Sequence, residues 1–255
     1  YQRSDEFSFL YDRFNEMFQK LRLLVEEVYE QKIYMKEAEL RQLQYQINPH
    51  FLYNSILIIS NLIRMDDLEC AQKLTQHLGK YYQYITKTVS EDVPLQKEIS
   101  HMRDYIEIQR IRFQNRVTVE SDEMPEDCKD KLVPRLILQP VVENAFCYGL
   151  KDKTGAGKIR IGYRRAGSYF SVFIEDNGDS LCEENLEEIR ALLRSSETEY
   201  AGSAGSGSAL VNIHRRIRIR FGPGSGLWVS RSEMGGLCVE IRIKWDGERG
   251  GTGCV

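Results

Sequence analysis

Three clusters of residues in this 255-residue chain have side chains and spacing suited to chemistry. The first is Gln46-Ile47-Asn48-Pro49-His50-Phe51-Leu52-Tyr53-Asn54. It sets a histidine directly after a proline inside a helical apolar pattern, with Leu40, Leu43 and Ile47 before it and Leu52, Ile56, Ile59 and Ile63 after. Proline within a helix removes a backbone donor and clashes with the preceding turn, so His50 is expected at a bend or break. Imidazole is a competent nucleophile near neutral pH, with one ring nitrogen free to attack. From the histidine and its kink alone, a partly buried or surface histidine beside a structural kink is the other open reading.

The second cluster is Leu138-Gln139-Pro140-Val141-Val142-Glu143-Asn144-Ala145, followed by Glu175-Asp176-Asn177-Gly178. Proline is tolerated at a helix start, which places Glu143 and Asn144 in the early turns. A carboxylate beside a carboxamide suits a magnesium nucleotide, offering an oxygen ligand for the hard cation and an acceptor near the reacting phosphate. Asp176, expected at a strand end, could accept from the exocyclic amine of adenine, while Gly178 lets a base approach the backbone. In the third cluster, Gly205-Ser206-Gly207-Ser208-Ala209-Leu210-Val211-Asn212, a glycine-rich loop enters a helix and offers backbone amides to phosphate. A solvated helix face and a flexible linker remain open for these two clusters when each is taken alone.

Composition narrows the classes. With 42% apolar and 29% charged residues and a net charge of -3, the chain reads as soluble and globular, without general attraction to nucleic acid. Six cysteines lie scattered without metal-ligand spacing, as free thiols of a reducing compartment do. No window approaches the roughly 20 apolar residues that cross a bilayer, and no signal peptide is recognisable.

These clusters need elements to hold them. Phe7, Leu10, Phe14, Met17, Leu21, Leu24 and Val28 trace a heptad seam, which predicts a helix that pairs with a parallel copy of itself. The seam loses phase between Val28 and Leu40, a place where a signal could be transmitted. A helix from Glu37 to about Met65 carries the histidine box, and Asp66-Asp67 breaks it with capping side chains. A second helix shows Leu68, Ala71, Leu74, Leu78, Tyr81 and Ile85 on one face. The two predict an antiparallel hairpin, and two hairpins a four-helix bundle. A third helix carries Ile99, Met102, Ile106 and Gln109 and leads to a strand at 117–120. His77 and His101 are expected to be structural. Strands at 158–163 and 169–174 meet at Ala166-Gly167-Ser168, a helix carries Ile213, Ile217 and Phe221, and a hairpin of 227–230 with 237–245 closes the chain.

The box around His50 resembles the phosphoacceptor motif of the LytS-like sensor histidine kinases of bacterial two-component systems. The clusters after it resemble the N, G1 and G2 boxes of the ATP-binding domain shared by histidine kinases, gyrase-like ATPases and Hsp90-like chaperones. Asp5-Glu6 and Phe14-Asn15-Glu16-Met17 also resemble the second helix of a HAMP linker. The resemblance implies an α+β chain: a dimeric coiled coil at 1–36, dimerisation and histidine-phosphotransfer helices at 37–123, a Bergerat-type ATP-binding sandwich at 124–246 and a disordered tail at 247–255. His50 would take a phosphoryl group from ATP and pass it to a response-regulator aspartate. Glu143 would orient or deprotonate the imidazole, Asn144 would hold Mg²⁺, and Asp176 and Gly178 would hold adenine. Gly205, Gly207, Leu210 and Asn212 would serve the phosphate lid, and Asn54 could orient water for dephosphorylation of the regulator. The implied partners are a second copy of the chain, the regulator and an upstream membrane-spanning sensor, with this segment cytoplasmic and no nucleic acid.

Three motifs depart from the family pattern. Cys147-Tyr148-Gly149 stands where Lys-His-Gly is usual, Ser180 replaces a glycine, and Ala209 interrupts Gly-x-Gly-Leu. A catalytically impaired dimeric scaffold and an ATP-driven clamp therefore remain as alternatives.

Overall fold

The computed structural model describes residues 13–14, 16–22, 24, 29, 32, 49–87, 92–114, 116–150, 153, 155–195 and 209–244. Gln46 to Asn48, Gly205, Gly207, the rest of the heptad seam and the tail at 247–255 lie outside the described residues. The chain divides into two compact units, 1–52 and 53–255.

In the first unit the described residues between 13 and 24 are helical, and the seam residues Phe14, Met17, Leu21 and Leu24 are exposed in the single chain. The unit ends in the opening turn of helix α1 (Pro49–Arg64), where proline at the first position leaves no intrahelical donor unpaired. His50 is exposed there. None of the described helices is long and apolar enough to cross a membrane.

In the second unit α1 ends at a turn in which Asp66 adopts a left-handed backbone (φ 62°) and Asp67 accepts the Cys70 N–H at 3.1 Å, capping helix α2 (Leu68–Lys87). Replacing Asp67 by alanine is expected to lower unfolding stability by about 1 kcal/mol, measurable as a shift in the urea midpoint. Ala71, Leu74, Leu78, Tyr81 and Ile85 are buried as their helical spacing predicts, whereas Leu68 is exposed. Their stripe is covered within the same chain by helix α3 (Leu95–Arg112), antiparallel to α2 as the pairs His77–Asp104 and Tyr84–Glu98 show. The face read as a bundle seam thus meets α3.

Strands β2 (Val117–Ser121), β4 (Gly157–Ala166), β5 (Tyr169–Asp176), β6 (Gly226–Arg231) and β7 (Leu237–Lys244) form a sheet of order β2-β4-β5-β7-β6. Strand β2 is parallel to β4 and the other pairs are antiparallel. Short strands β1 (Asp92–Pro94) and β3 (Leu132–Pro134) pair separately. The β4–β5 turn pairs Ala166 with Tyr169, and Gly167 sits at φ 57° as a tight turn requires. Alternate residues of the sheet, including Ile159, Ile161, Phe170, Val172, Ile174 and Ile241, are buried. Helices α4 (Gln139–Asn144), α5 (Glu183–Ser195) and α6 (Ala209–Phe221) complete the unit, and the chain is α+β.

Helix α3 is buried well beyond one stripe because it lies between α2 and α4. Its Glu98, 1% exposed, accepts the backbone N–H groups of Leu136, Ile137 and Leu138 at 2.7, 2.9 and 3.3 Å and the Tyr84 hydroxyl. These amides lead into α4, so a carboxylate from another helix satisfies donors that a local cap would otherwise have to meet.

Candidate active site

Helix α4 is only six residues long because the chain continues as a π-helical turn, Ala145–Gly149, closed by the Leu150 N–H on the Ala145 carbonyl at 3.0 Å. Phe146 anchors this turn in the core against Tyr105 and Phe113. The wider winding carries Cys147 and Tyr148 outward and brings Gly149 against Asp176. Such bulges often mark functional sites.

A cavity of about 570 Å³ opens beside this turn. Glu143 and Asn144 of α4, Asp176 and Gly178 at the end of β5, and Leu210 of α6 all line it. Three chain segments assigned to nucleotide chemistry by sequence therefore meet at one place. The volume lies within the range of about 300–1,000 Å³ typical of small-molecule sites.

At the back of the cavity Asp176 is buried, and its Oδ1 accepts the N–H groups of Gly178 at 2.8 Å and Leu237 at 3.3 Å. Both bonds fall on Oδ1, which leaves Oδ2 for a ligand donor. Burial raises the Asp176 carboxyl above its ordinary range, and the two amides and the Lys153 charge oppose that rise. Glycines enclose it: a Cβ on Gly149 would lie 2.7 Å from Asp176 Oδ1, and one on Gly236 would overlap the same oxygen. Asn177 works structurally, accepting the Lys158 N–H at 2.8 Å and donating to the Ala156 carbonyl at 3.1 Å.

Glu143 is half-buried, and desolvation raises its carboxyl, against a Gln139 side-chain hydrogen bond and the Arg112 charge. A raised carboxyl pKa suits a general base, which works best near ambient pH. The Ser180 hydroxyl donates to the Tyr148 carbonyl at 2.9 Å, so the side chain at this departure is accommodated at the cavity rim. Cys147, Tyr148 and Ala209, the other departures, also line the cavity.

Some sequence-singled residues lie elsewhere. Asn212 is exposed on α6 and does not line the cavity. His50 belongs to the first unit, while Asn54, half-buried on α1, falls in the second. Of the α6 arginines, Arg216 donates to the Arg135 carbonyl and Arg220 pairs with Asp92, fastening the helix to the chain. His101 and His77 have structural partners, Gln139 and Asp104. Burial pushes the Cys128 and Cys238 thiols up to about 11, which keeps them protonated and unreactive.

Sequence reading missed the apolar wall. Leu181, together with Ile189 and Leu192 of α5, lines one side of the cavity. The spacing of Leu186, Ile189 and Leu193 was the available signal, but it is short and diluted by acidic residues. Gly236, just before the last strand of the closing hairpin, likewise carries no signal of its own in the sequence.

A histidine kinase family profile matches residues 38–117. The sensor histidine kinase YesM of Bacillus subtilis (strain 168) is 33% identical over 239 residues, covering 94% of this chain and 39% of that protein. The sensor protein LytS of Staphylococcus epidermidis (strain RP62A) is 30% identical over 202 residues, covering 79% of this chain and 33% of that protein. Among solved structures, the catalytic domain of the histidine kinase ThkA aligns at 21% identity with a TM-score of 0.38, over 60% of this chain and 94% of that one. The chain thus spans 33–39% of the length of these curated relatives. On the family profile, the two curated relatives and the motif residues that carry the likeness, the chain belongs to the LytS-like sensor histidine kinases.

Proposed function

We propose that this chain is the kinase portion of a membrane-anchored sensor, facing the cytoplasm, that transfers the γ-phosphoryl of ATP to His50 and then to an aspartate of a response regulator. The observation that carries the reading is the meeting of Glu143, Asn144, Asp176 and Gly178 around one cavity of nucleotide size. Adenine would donate its exocyclic amine to Asp176, with its ring between the apolar wall of α5 and the glycines at 149 and 178. The amides of the segment entering α6, Gly205 and Gly207 among them, would meet the phosphates.

No three metal-ligating side chains cluster among the described residues. ATP would arrive with Mg²⁺, which keeps several waters and takes one or two protein oxygens together with substrate phosphates. Asn144, with its carboxamide oxygen, would hold it, and the ion would neutralise charge on the β- and γ-phosphate oxygens. A lone pair of the His50 imidazole forms the new N–P bond, the bond from Pγ to the bridging oxygen breaks, and ADP leaves. The ring proton passes to the Glu143 carboxylate. Little covalent work falls to other residues, so bringing His50 into line with the γ-phosphate dominates the rate.

Dimerisation follows from the apolar surface that the single chain exposes: Ile56, Leu57 and Ile63 on α1, and the seam residues Phe14, Met17, Leu21 and Leu24. Two copies of α1 and α2 would make the four-helix bundle, and the seam a coiled coil whose phase break passes the input on. Asn54, four residues after His50 on the same helix, would orient the water of a regulator-dephosphorylation reaction.

The test is incubation of the chain with γ-labelled Mg-ATP. Acid-labile, base-stable label located on His50 is the expected result. Nucleotide binding without label would point to the impaired scaffold, and absence of both would remove the nucleotide reading.

A further inference from the structure

Lys153 follows the π-helical turn, and its N–H donates to the Leu150 carbonyl at 3.3 Å. Its side chain is 13% exposed. The ammonium donates to the Asn177 carbonyl at 2.7 Å and to Asp179 Oδ1 at 2.8 Å. Asp179 is 75% exposed, and an ion pair with a partner in water contributes little to stability. The contact of consequence is the one to the Asn177 carbonyl.

That carbonyl belongs to the same peptide unit as the Gly178 N–H, which donates to Asp176 Oδ1 at 2.8 Å. In a trans peptide the C=O and N–H point in opposite directions. The unit is thus held at both ends, by Lys153 on the oxygen and by Asp176 on the nitrogen. Asn177 itself is fixed to the start of β4. Its N–H donates to the Lys158 carbonyl at 3.1 Å, its Oδ1 accepts the Lys158 N–H, and its Nδ2 donates to the Ala156 carbonyl. The freedom left is rotation of the peptide plane between Asn177 and Gly178. Glycine on the far side makes that rotation cheap, since it takes backbone conformations closed to other residues. A turned-over plane would point the Asn177 carbonyl at the Asp176 carboxylate, acceptor against acceptor, and would take the Gly178 N–H away from Oδ1. A cation on the carbonyl oxygen opposes this turn, and by polarising the amide it strengthens the N–H as a donor.

Resting on the reading of Asp176 as the acceptor of the adenine amine, we infer that Lys153 is a positioning residue for base recognition: by holding the 177–178 peptide it keeps Asp176 Oδ1 occupied and presents Oδ2 to the base. Lys153 does not line the cavity, so it acts through Asp176 and not on the nucleotide. Its charge works in the same direction. Burial raises the Asp176 carboxyl, and Lys153 opposes the rise, favouring the ionised acceptor. The same side chain joins the two backbone stretches that flank the carboxylate, the one that follows Gly149 and the turn that holds Gly178.

The test compares binding of ATP with binding of purine riboside triphosphate, which lacks the exocyclic amine, both with Mg²⁺, to the full chain by titration calorimetry. Wild type should prefer ATP by roughly thirtyfold, the scale of one hydrogen bond to a buried charged acceptor. Lys153→Met keeps the aliphatic stem and leaves Asp179 in solvent, so no buried charge is orphaned. In this variant ATP binding should weaken about tenfold while the analogue changes less than about threefold, so most of the preference disappears. A merely structural lysine would lower both affinities alike, because the rest of the cavity is common to the two nucleotides. Equal loss of both, or an unchanged preference in Lys153→Met, overturns the inference. A wild type that binds both nucleotides equally removes Asp176 as the adenine acceptor, and the inference falls with it. Absence of all binding removes the nucleotide reading itself, so failure of the site assignment is told apart from failure of Lys153.

Discussion

Gly178→Ala is expected to abolish measurable Mg-ATP binding while leaving the helices intact. The added Cβ would overlap the Gly149 carbonyl oxygen and lie 2.8 Å from the Gly149 carbonyl carbon and Cα. All three are backbone atoms, so no side chain can swing aside. Gly149 is flanked in turn by Asp176, whose carboxylate occupies the space a Cβ on Gly149 would take. Relief must come from pulling the π-helical turn away from the end of β5 or from twisting the turn after Asp176. The first opens the wall of the cavity, and the second breaks the 2.8 Å bond from the Gly178 N–H to Asp176. If this oriented buried carboxylate recognises adenine as proposed, its loss should lower affinity at least about 100-fold, roughly 3 kcal/mol. Titration calorimetry with Mg-ATP measures it, and far-UV circular dichroism checks that the chain remains folded. Wild-type affinity in this variant would mean that adenine does not sit against Asp176.

Glu98→Ala is expected to destabilise the second unit by about 3–5 kcal/mol, because three backbone donors and a buried hydroxyl lose their acceptor together. The amides concerned, Leu136, Ile137 and Leu138, precede α4, and Leu136 already holds a positive φ of 56°, a costly conformation for a branched side chain. Water cannot replace the carboxylate without opening the contact between α3 and α4, since Ile137 and Leu138 are fully buried. The melting temperature should fall by about 10 °C or more, by the usual relation between free energy and transition entropy. Glu98→Gln retains one acceptor oxygen but turns an amide donor toward a backbone donor, so it should recover only part of the loss. The expected order is wild type, then Gln, then Ala. Equal stability of all three would show that solvent or a local rearrangement caps α4.

The sequence by itself determined a good deal. The stripe of Ala71, Leu74, Leu78, Tyr81 and Ile85, the β4–β5 hairpin and the closing hairpin were legible because each is a local pattern: period 3.6 on a helix, period 2 on a strand, or a turn with a glycine at positive φ. Asp67 as a cap was legible for the same reason, since its partner lies three residues away. Glu143, Asn144, Asp176 and Gly178 could be singled out by side-chain chemistry, each within a few residues of recognisable punctuation.

What only the tertiary structure decided are relations between distant segments. Helix α3 covers the face of α2 that reads as a bundle seam, because burial pattern reveals that a face is apolar and not what will cover it. The π-helical turn after Asn144, which brings Gly149 against Asp176, has no period of its own in a sequence. Leu181, Ile189 and Leu192 become a cavity wall only because α5 lies across from α4 and β5. Glu98 and His101 read as ordinary positions on an amphipathic helix. Their partners, Leu136 to Leu138 and Gln139, are nearly forty residues away and are brought to them by the packing of α3 on α4. Local periodicity encodes which residues want to be buried, whereas a hydrogen-bonded cap or relay depends on the angle and register at which two helices meet.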